Sequence, residues 1–507
     1  MKQKSGFFKN KLYLLYLLAA FLPAVLFLTW LAVMRLTGTP ISLLPTASDE
    51  LSWYRQIASI VSSGQPLGYY GYNGTHAVHG TFGPWGIGIL LPHALWGKIF
   101  GWNLTSMCIA NVTFLGASLC LFAFLCRLSL REYISVLLCY CTLLMPIYYS
   151  AFSMGECLRW SMAILLCGCM VRICRGYSGR FFRYIITPVL LLYCSEAYLI
   201  LALFIPLYLL MVLPVRRFWI KIPAALGISA VIAFSLRKLL RSIAAPYYTN
   251  TAEALSLFAL LKQKIKAALD VLYQVSPAGI WKNKISSSGF PSMMIATFLI
   301  FLIYCIVKVI LLKGKKTCYA YLASAFLMLG CLGGYAFLYR SPTFWTLCRG
   351  LTMALVCAVM LTALYCHKST ALVCILCALV SLPSFLGVSN SNLSRRCLTP
   401  KQEALMEESR ETYESIFHIS EENSCWENTI AVYGTRKAGA QTALSFYLPV
   451  NAGYNNMRDN SVICEAAYAV VYNSYSAEGA YENTLAALQE NGYHTVSQNK
   501  YLTILAR

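Results

Sequence analysis

Carboxylates are scarce in this sequence. Its 507 residues carry 41 Lys and Arg but only 20 Asp and Glu. Seven acids fall in the first 388 positions: Asp49, Glu50, Glu132, Glu156, Glu196, Glu253 and Asp270. Charge of either sign is sparse at 12%, against 58% hydrophobic residues and a mean hydropathy of +0.60. This excludes a string of soluble domains, in which roughly a quarter of the residues are charged. Gly-rich phosphate loops, serine elbows and nucleic-acid motifs are absent. The formal charge of +21 therefore points to membrane orientation and anionic lipids as partners, with no nucleic acid. Of 21 cysteines, 18 sit in the apolar part as small packing residues. The other three, Cys397, Cys425 and Cys464, form an odd set without metal spacing, which excludes a disulfide framework.

What is present is a series of apolar runs, each long enough to cross ~30 Å of hydrocarbon. The basic start "MKQKSGFFKNK" leads into an apolar run too long for a signal-peptide core, so a first helix anchored from the cytoplasm is expected. "FGPWGIGILLPHALWGKIF" is short and broken by Gly and Pro. Placing it in the interface rather than across the membrane keeps Arg127, Arg131 and the basic run Arg172 to Arg183 inside. Spans are then predicted over 12–34, 105–126, 133–152, 157–175, a short pair within 184–213, 219–236, 290–312, 317–338, 343–365 and 369–388. The fold class is an all-α polytopic protein of about eleven transmembrane helices in a cell membrane. Its N-terminus is cytoplasmic.

From Ser389 the composition changes to 9 basic and 13 acidic residues. "TPKQEALMEESRETYESIF" opens as a capped helix, with Thr399 as N-cap, Pro400 at the first position and Gln402 completing a capping box. "TIAVYG", "YAVVYN" and "YLTILA" read as strands, and "AQTALSFYL" and "AYENTLAALQENG" as helices, the second closed by Gly492. Residues 1–388 are thus a membrane domain and 389–507 a small extracytoplasmic α/β domain.

This topology gathers four of the scarce acids on the outer face: Asp49 and Glu50 after the first span, Glu156 in "FSMGECLRW" and Glu196 in "LLYCSEAYLI". A carboxylate at membrane depth costs ~2.5–3.5 kcal/mol on insertion scales and faces a cavity or a partner. Structural roles compete with chemical ones at each position. Asp49 caps a helix beginning "ELSWYRQI", Glu156 pairs with Arg159 one turn away, and Glu196 satisfies the backbone of a broken helix. Arg340 and Arg349 flank an outer turn in "LYRSPTFWTLCRG", where planar guanidinium groups suit a phosphate. The helix with Lys262, Lys264 and Lys266 suits the membrane surface. His76 and His79, three apart, offer a phosphate contact or a weak metal signal.

"DELSWYRQIASIVSSGQPLGYYG" followed by "HGTFGPWGIGILLPHALWGKIFG" resembles the opening of GT-C fold glycosyltransferases, multispan enzymes that take sugars from polyprenyl-phosphate carriers. Asp49, Glu50, Tyr54, Ala58, Gly64 and His79 match that pattern, and Glu156 matches the second acid of the O-mannosyltransferase-like and aminoarabinose-transferase-like members. The likeness covers roughly residues 10–215. The double Pro after His79 is missing, and Glu replaces the commoner Asp at 156. The resemblance implies a glycosyltransferase of the cell envelope, moving a lipid-linked sugar to a glycan, lipid or protein acceptor. Asp49 would be its base, with Glu50 and Glu156 orienting groups or ligands of a divalent cation. Tyr54, His76, His79, Glu196, Arg340 and Arg349 would contact substrate. A lipid or polysaccharide transporter and a non-enzymatic assembly protein are the alternatives.

The topology has a direct check. A cysteine placed at Ser178, in a background cleared of native thiols, is expected to be shielded from impermeant thiol reagents in whole cells. Labelling as strong as at a C-terminal position would overturn the orientation.

Overall fold

The computed structural model describes residues 5–45, 48–64, 70–72, 87–175, 231–236, 257–286, 289–338, 344–398, 429–433, 453–457, 466–472, 480–499 and 502–507, except 314, 316 and 366, together with scattered positions elsewhere. Before the first gap in assigned helices, the chain forms α1 (Ser5–Leu36), α2 (Ser48–Ser63), β1 (Tyr70–Tyr72), α3 (Ile87–Phe100), α4 (Ser106–Cys126), α5 (Leu130–Cys141), α6 (Leu144–Tyr149) and α7 (Glu156–Cys174). Next come α8 (Leu257–Val275), α9 (Pro277–Ser286), α10 (Phe290–Leu311), α11 (Cys318–Leu338), α12 (Phe344–Tyr365) and α13 (His367–Arg395). The expected spans within 184–213 lie outside the described residues except at Leu190, and the one over 219–236 is described at half of its positions, all of them helical.

Six described helices, α1, α4, α10, α11, α12 and α13, are long and apolar enough to cross a membrane. α12 is central, with 94% of its spanning window buried, whereas α1 and α13 bury 28% of theirs. Leu14, Phe21 and Leu28 on α1, and Leu372, Leu376 and Leu379 on α13, are exposed. Such a belt is costly in water and suits hydrocarbon. The span expected over 133–152 is two pieces, α5 and α6, with Thr142 as the C-cap of α5. Pro146 explains the break, since it has no N–H and its ring meets the carbonyl four residues back, that of Thr142.

Glu132 serves a local purpose. It completes a capping box with Ser129 and pairs with Arg175 at the end of α7. α8 has the expected amphipathic build, with Ala267, Val271 and Val275 buried and Leu261, Ile265, Leu269 and Leu272 exposed.

The α/β domain is built on β2 (Thr429–Tyr433), β3 (Gly453–Met457), β4 (Tyr468–Tyr472), α14 (Ala480–Glu490), β5 (His494–Gln498) and β6 (Leu502–Ala506). Its sheet runs β1-β3-β2-β4-β6-β5. β1, β3, β2 and β4 are parallel, while β6 and β5 add antiparallel. The strands expected from "TIAVYG", "YAVVYN" and "YLTILA" are β2, β4 and β6, and Gly492 closes α14 at φ +89. Neither β1 nor β3 is predicted by its sequence. The helix expected from "AQTALSFYL" and the capping residues Thr399 and Gln402 lie outside the described residues.

Both sheet faces are covered, as a largely parallel sheet requires. Ala431, Tyr433, Ala469, Val471 and Leu505 pack on Leu488 of α14. On the other face, Ile430, Val432, Val470, Tyr472, Leu502 and Ile504 close over Tyr413, Phe417 and two residues of α2, Tyr54 and Ala58. The first inter-helix loop thus contributes a strand and a helix face to the domain at the far end of the chain. α13 leads into that domain, running to Arg395, past the change of composition at residue 388.

α1 and α4 meet at a small residue, as close helix pairs in membranes do. A Cβ on Gly116 would overlap the backbone carbonyl of Ala20, whereas one on Gly333 would meet nothing within 4 Å. Gly116→Ala is expected to cost ~1–3 kcal/mol by overpacking, lowering the melting temperature of the purified protein. Gly333→Ala, with open space inside α11, should not lower it. Equal melting temperatures for both variants would contradict the α1–α4 packing.

Candidate active site

The loop from 150 to 155, joining α6 to α7, is where the site is assembled. Beneath it, Tyr148 is ringed by Trp30, Phe290, Trp345 and Phe385 from four different helices, the Trp345 ring stacked at 5.9 Å. Asn111 of α4 holds the loop from one side, its Nδ2 donating to Phe152 O at 2.9 Å and Met154 O at 3.1 Å. With both amide hydrogens so engaged, its Oδ1 faces His93 Nε2 of α3 at 3.4 Å. Nδ1 of the same ring faces Ile89 O at 3.2 Å, so both ring nitrogens look at acceptors. Gly155 lies against the Trp53 indole of α2: a Cβ there would stand 2.5 Å from its Cη2.

Glu50 holds the loop from the other side. Its Oε1 accepts the Ser153 backbone N–H at 2.8 Å and pairs with Arg396 Nη2 at 3.1 Å. Arg396 also donates Nη1 to Ala151 O at 2.7 Å and lies 4.1 Å over the Phe152 ring. Both side chains of this ion pair are buried. Loop, α2 and the end of α13 therefore meet at one carboxylate.

Glu156 begins α7, just past the pinned loop. Its partner is Arg349 of α12, with Nη1 to Oε1 at 3.0 Å, rather than its helix neighbour Arg159. Arg349 also approaches Thr346 Oγ1 at 3.4 Å. The pair is partly open to solvent. The second oxygen of Glu156, Oε2, is buried with no hydrogen-bond partner among the described residues, and so is Ser153 Oγ. A buried carboxylate oxygen left unpaired is expensive, so this is the atom that a bound hydroxyl group would satisfy.

The structure thus brings Glu50, Glu156 and Arg349 to one end of the bundle, beside the α/β domain. Asp49 lies in the first turn of α2. Its side chain lies outside the described residues, as do His76, His79, Glu196 and Arg340. Tyr54 is placed in the core between α2 and the sheet, stacked on Trp102 at 5.9 Å. Of the described carboxylates, Glu50 and Glu156 are each balanced by an arginine. No three of His, Cys, Asp and Glu come together among the described residues. Sequence reasoning missed Arg396, Asn111 and His93. Each carried a signal: a charged or polar residue at the end of a span, or within an otherwise apolar run.

No family model matches the chain, and no curated protein sequence matches it. Solved structures do. ArnT from Cupriavidus metallidurans, crystallised with undecaprenyl phosphate bound, aligns over 95% of this chain and 97% of its own, with a TM-score of 0.51 and 10% identity. An oligosaccharyltransferase from Archaeoglobus fulgidus in its apo form aligns over 89% of this chain and 65% of its own, with a TM-score of 0.48 and 11% identity. The ArnT likeness defines the class: this is a multi-pass membrane protein of the GT-C fold.

The pinned loop gives a prediction. Asn111→Leu keeps the bulk but strands the carbonyls of Phe152 and Met154, at ~1–3 kcal/mol for each buried acceptor left unpaired. The purified variant should melt well below the parent. An unchanged melting temperature would mean that Asn111 does not hold the loop.

Proposed function

We propose that this protein transfers a sugar from a polyprenyl-phosphate carrier to an acceptor hydroxyl on the extracytoplasmic face, in cell-envelope glycan or glycoconjugate assembly. The observation that carries the reading is the Oε2 of Glu156, without a partner among the described residues, beside Arg349. It sits at the end of the bundle where α2 presents Asp49, in a fold shared with a protein solved with undecaprenyl phosphate bound.

In this reading a neighbouring hydroxyl of the bound acceptor donates a hydrogen bond to Glu156 Oε2, which holds the attacking hydroxyl in place and leaves that group's own proton for Asp49. Asp49 takes its proton as the oxygen bonds to the anomeric carbon. The bond from that carbon to the phosphate oxygen breaks, and its electron pair leaves with the polyprenyl phosphate. The Arg349 guanidinium, with Arg340, meets the charge that develops on the leaving group. Glu50 positions α2 and takes no proton. Tyr54 supports the same helix from its buried place, and His76, His79 and Glu196 complete the substrate surface.

The test is sugar transfer from labelled polyprenyl-phosphate donors by purified protein. Asn caps a helix about as well as Asp but is no base. Asp49→Asn should therefore lower turnover roughly a hundredfold or more at unchanged melting temperature. Arg349→Lys keeps the charge and loses the planar fork, so donor binding should weaken, while Lys264→Gln on α8 should change it little because salt screens exposed charge. Full activity in Asp49→Asn would leave that residue as a cap alone and end the catalytic reading.

A further inference from the structure

We infer that the α/β domain is the positioning device for α2, and that Arg396 is the positioning residue through which it acts. This rests on the glycosyl-transfer reading for its chemical consequence, but its geometry stands apart from it. Glu50, Tyr54 and Ala58 recur at every fourth residue and so share one face of α2. Glu50 is fixed by Arg396, which follows α13 at the entrance to the domain. Tyr54 and Ala58 are fixed by the core of the sheet. Trp53, Ile57 and Ile60, on the adjoining face, belong to the core of the membrane bundle.

The helix is buried on all sides from 53 to 60. A second attachment lies beyond its end, where β1 pairs with β3, Tyr70 opposite Tyr454 and Tyr72 opposite Asn456. The segment carrying Asp49 is therefore clamped between two bodies, with its first turn tied to Arg396. Arg396 also grips Ala151 O and the Phe152 ring, so the same guanidinium sets α2 against the loop that ends at Glu156. Both proposed reacting groups are registered by a residue that touches no substrate.

Hydrogen exchange of the full-length protein in nanodiscs tests this. Arg396→Met removes the charge that balances the buried Glu50 and is expected to fold poorly, so the double variant Glu50→Gln with Arg396→Met, which removes both charges, is measured beside it. Exchange across 48–63 and 150–155 is expected to rise about tenfold or more, while β2, β4 and β6 keep their protection. With a labelled polyprenyl-phosphate sugar, kcat should fall about tenfold while KM for the donor holds, as for a group that orders the transition state alone. Arg396→Lys should recover part of that loss. Unchanged exchange over 48–63 in the double variant would overturn the inference, and so would equal loosening throughout the α/β domain or a change confined to KM. Activity in Asp49→Asn would instead remove the catalytic reading and leave the exchange result to decide the clamp.

Discussion

The buried ion pair between Glu50 and Arg396 is the constraint on which the site depends. Two charges taken out of water gain little net stability, yet removing one partner costs about 3–5 kcal/mol. Such a pair therefore fixes register more than it adds stability. Here it ties three segments far apart in sequence: the start of α2, the loop before α7 and the exit of α13. Ala151 O and the Ser153 N–H are both satisfied by its members, so α2 cannot slide without stranding buried polar groups.

Around that point the two parts of the protein are built into each other. The sheet is completed by β1 from the first loop, and one of its faces is closed by α2. Glu156, whose Oε2 has no partner among the described residues, lies just beyond the rigid loop and is held on its other side by α12, the most enclosed of the six described spans. A rigid frame around an unsatisfied carboxylate oxygen is what preorganised chemistry requires.

The sequence made the spans legible because apolar runs of about twenty residues have few other meanings. Scarcity made the acids legible as well: Glu50 and Glu156 do come to the same end of the bundle. Less legible were features that depend on distant partners. "YGY" and "GYNNM" have little strand character, and they are strands because they pair with each other and with β2. Tyr54 matches a family pattern for a substrate contact, but its burial in the α2–sheet interface depends on residues more than three hundred positions away. Arg396 lies 346 positions from Glu50, and only its place at a span end singled it out. The break at Pro146 follows from proline chemistry, but the unbroken apolar character of 133–152 masks it.

The central claim is that the loop ending at Glu156, with Arg349 beside it, receives the phosphate end of a lipid carrier. Photocrosslinking with a polyprenyl phosphate bearing a diazirine next to the phosphate tests it most directly, with adducts mapped by mass spectrometry. The account predicts adducts within 150–156 and the first turns of α12, competed by unlabelled polyprenyl phosphate and weakened in Arg349→Lys. Adducts confined to the lipid-facing sides of α1 and α13, unaffected by competitor, would contradict it.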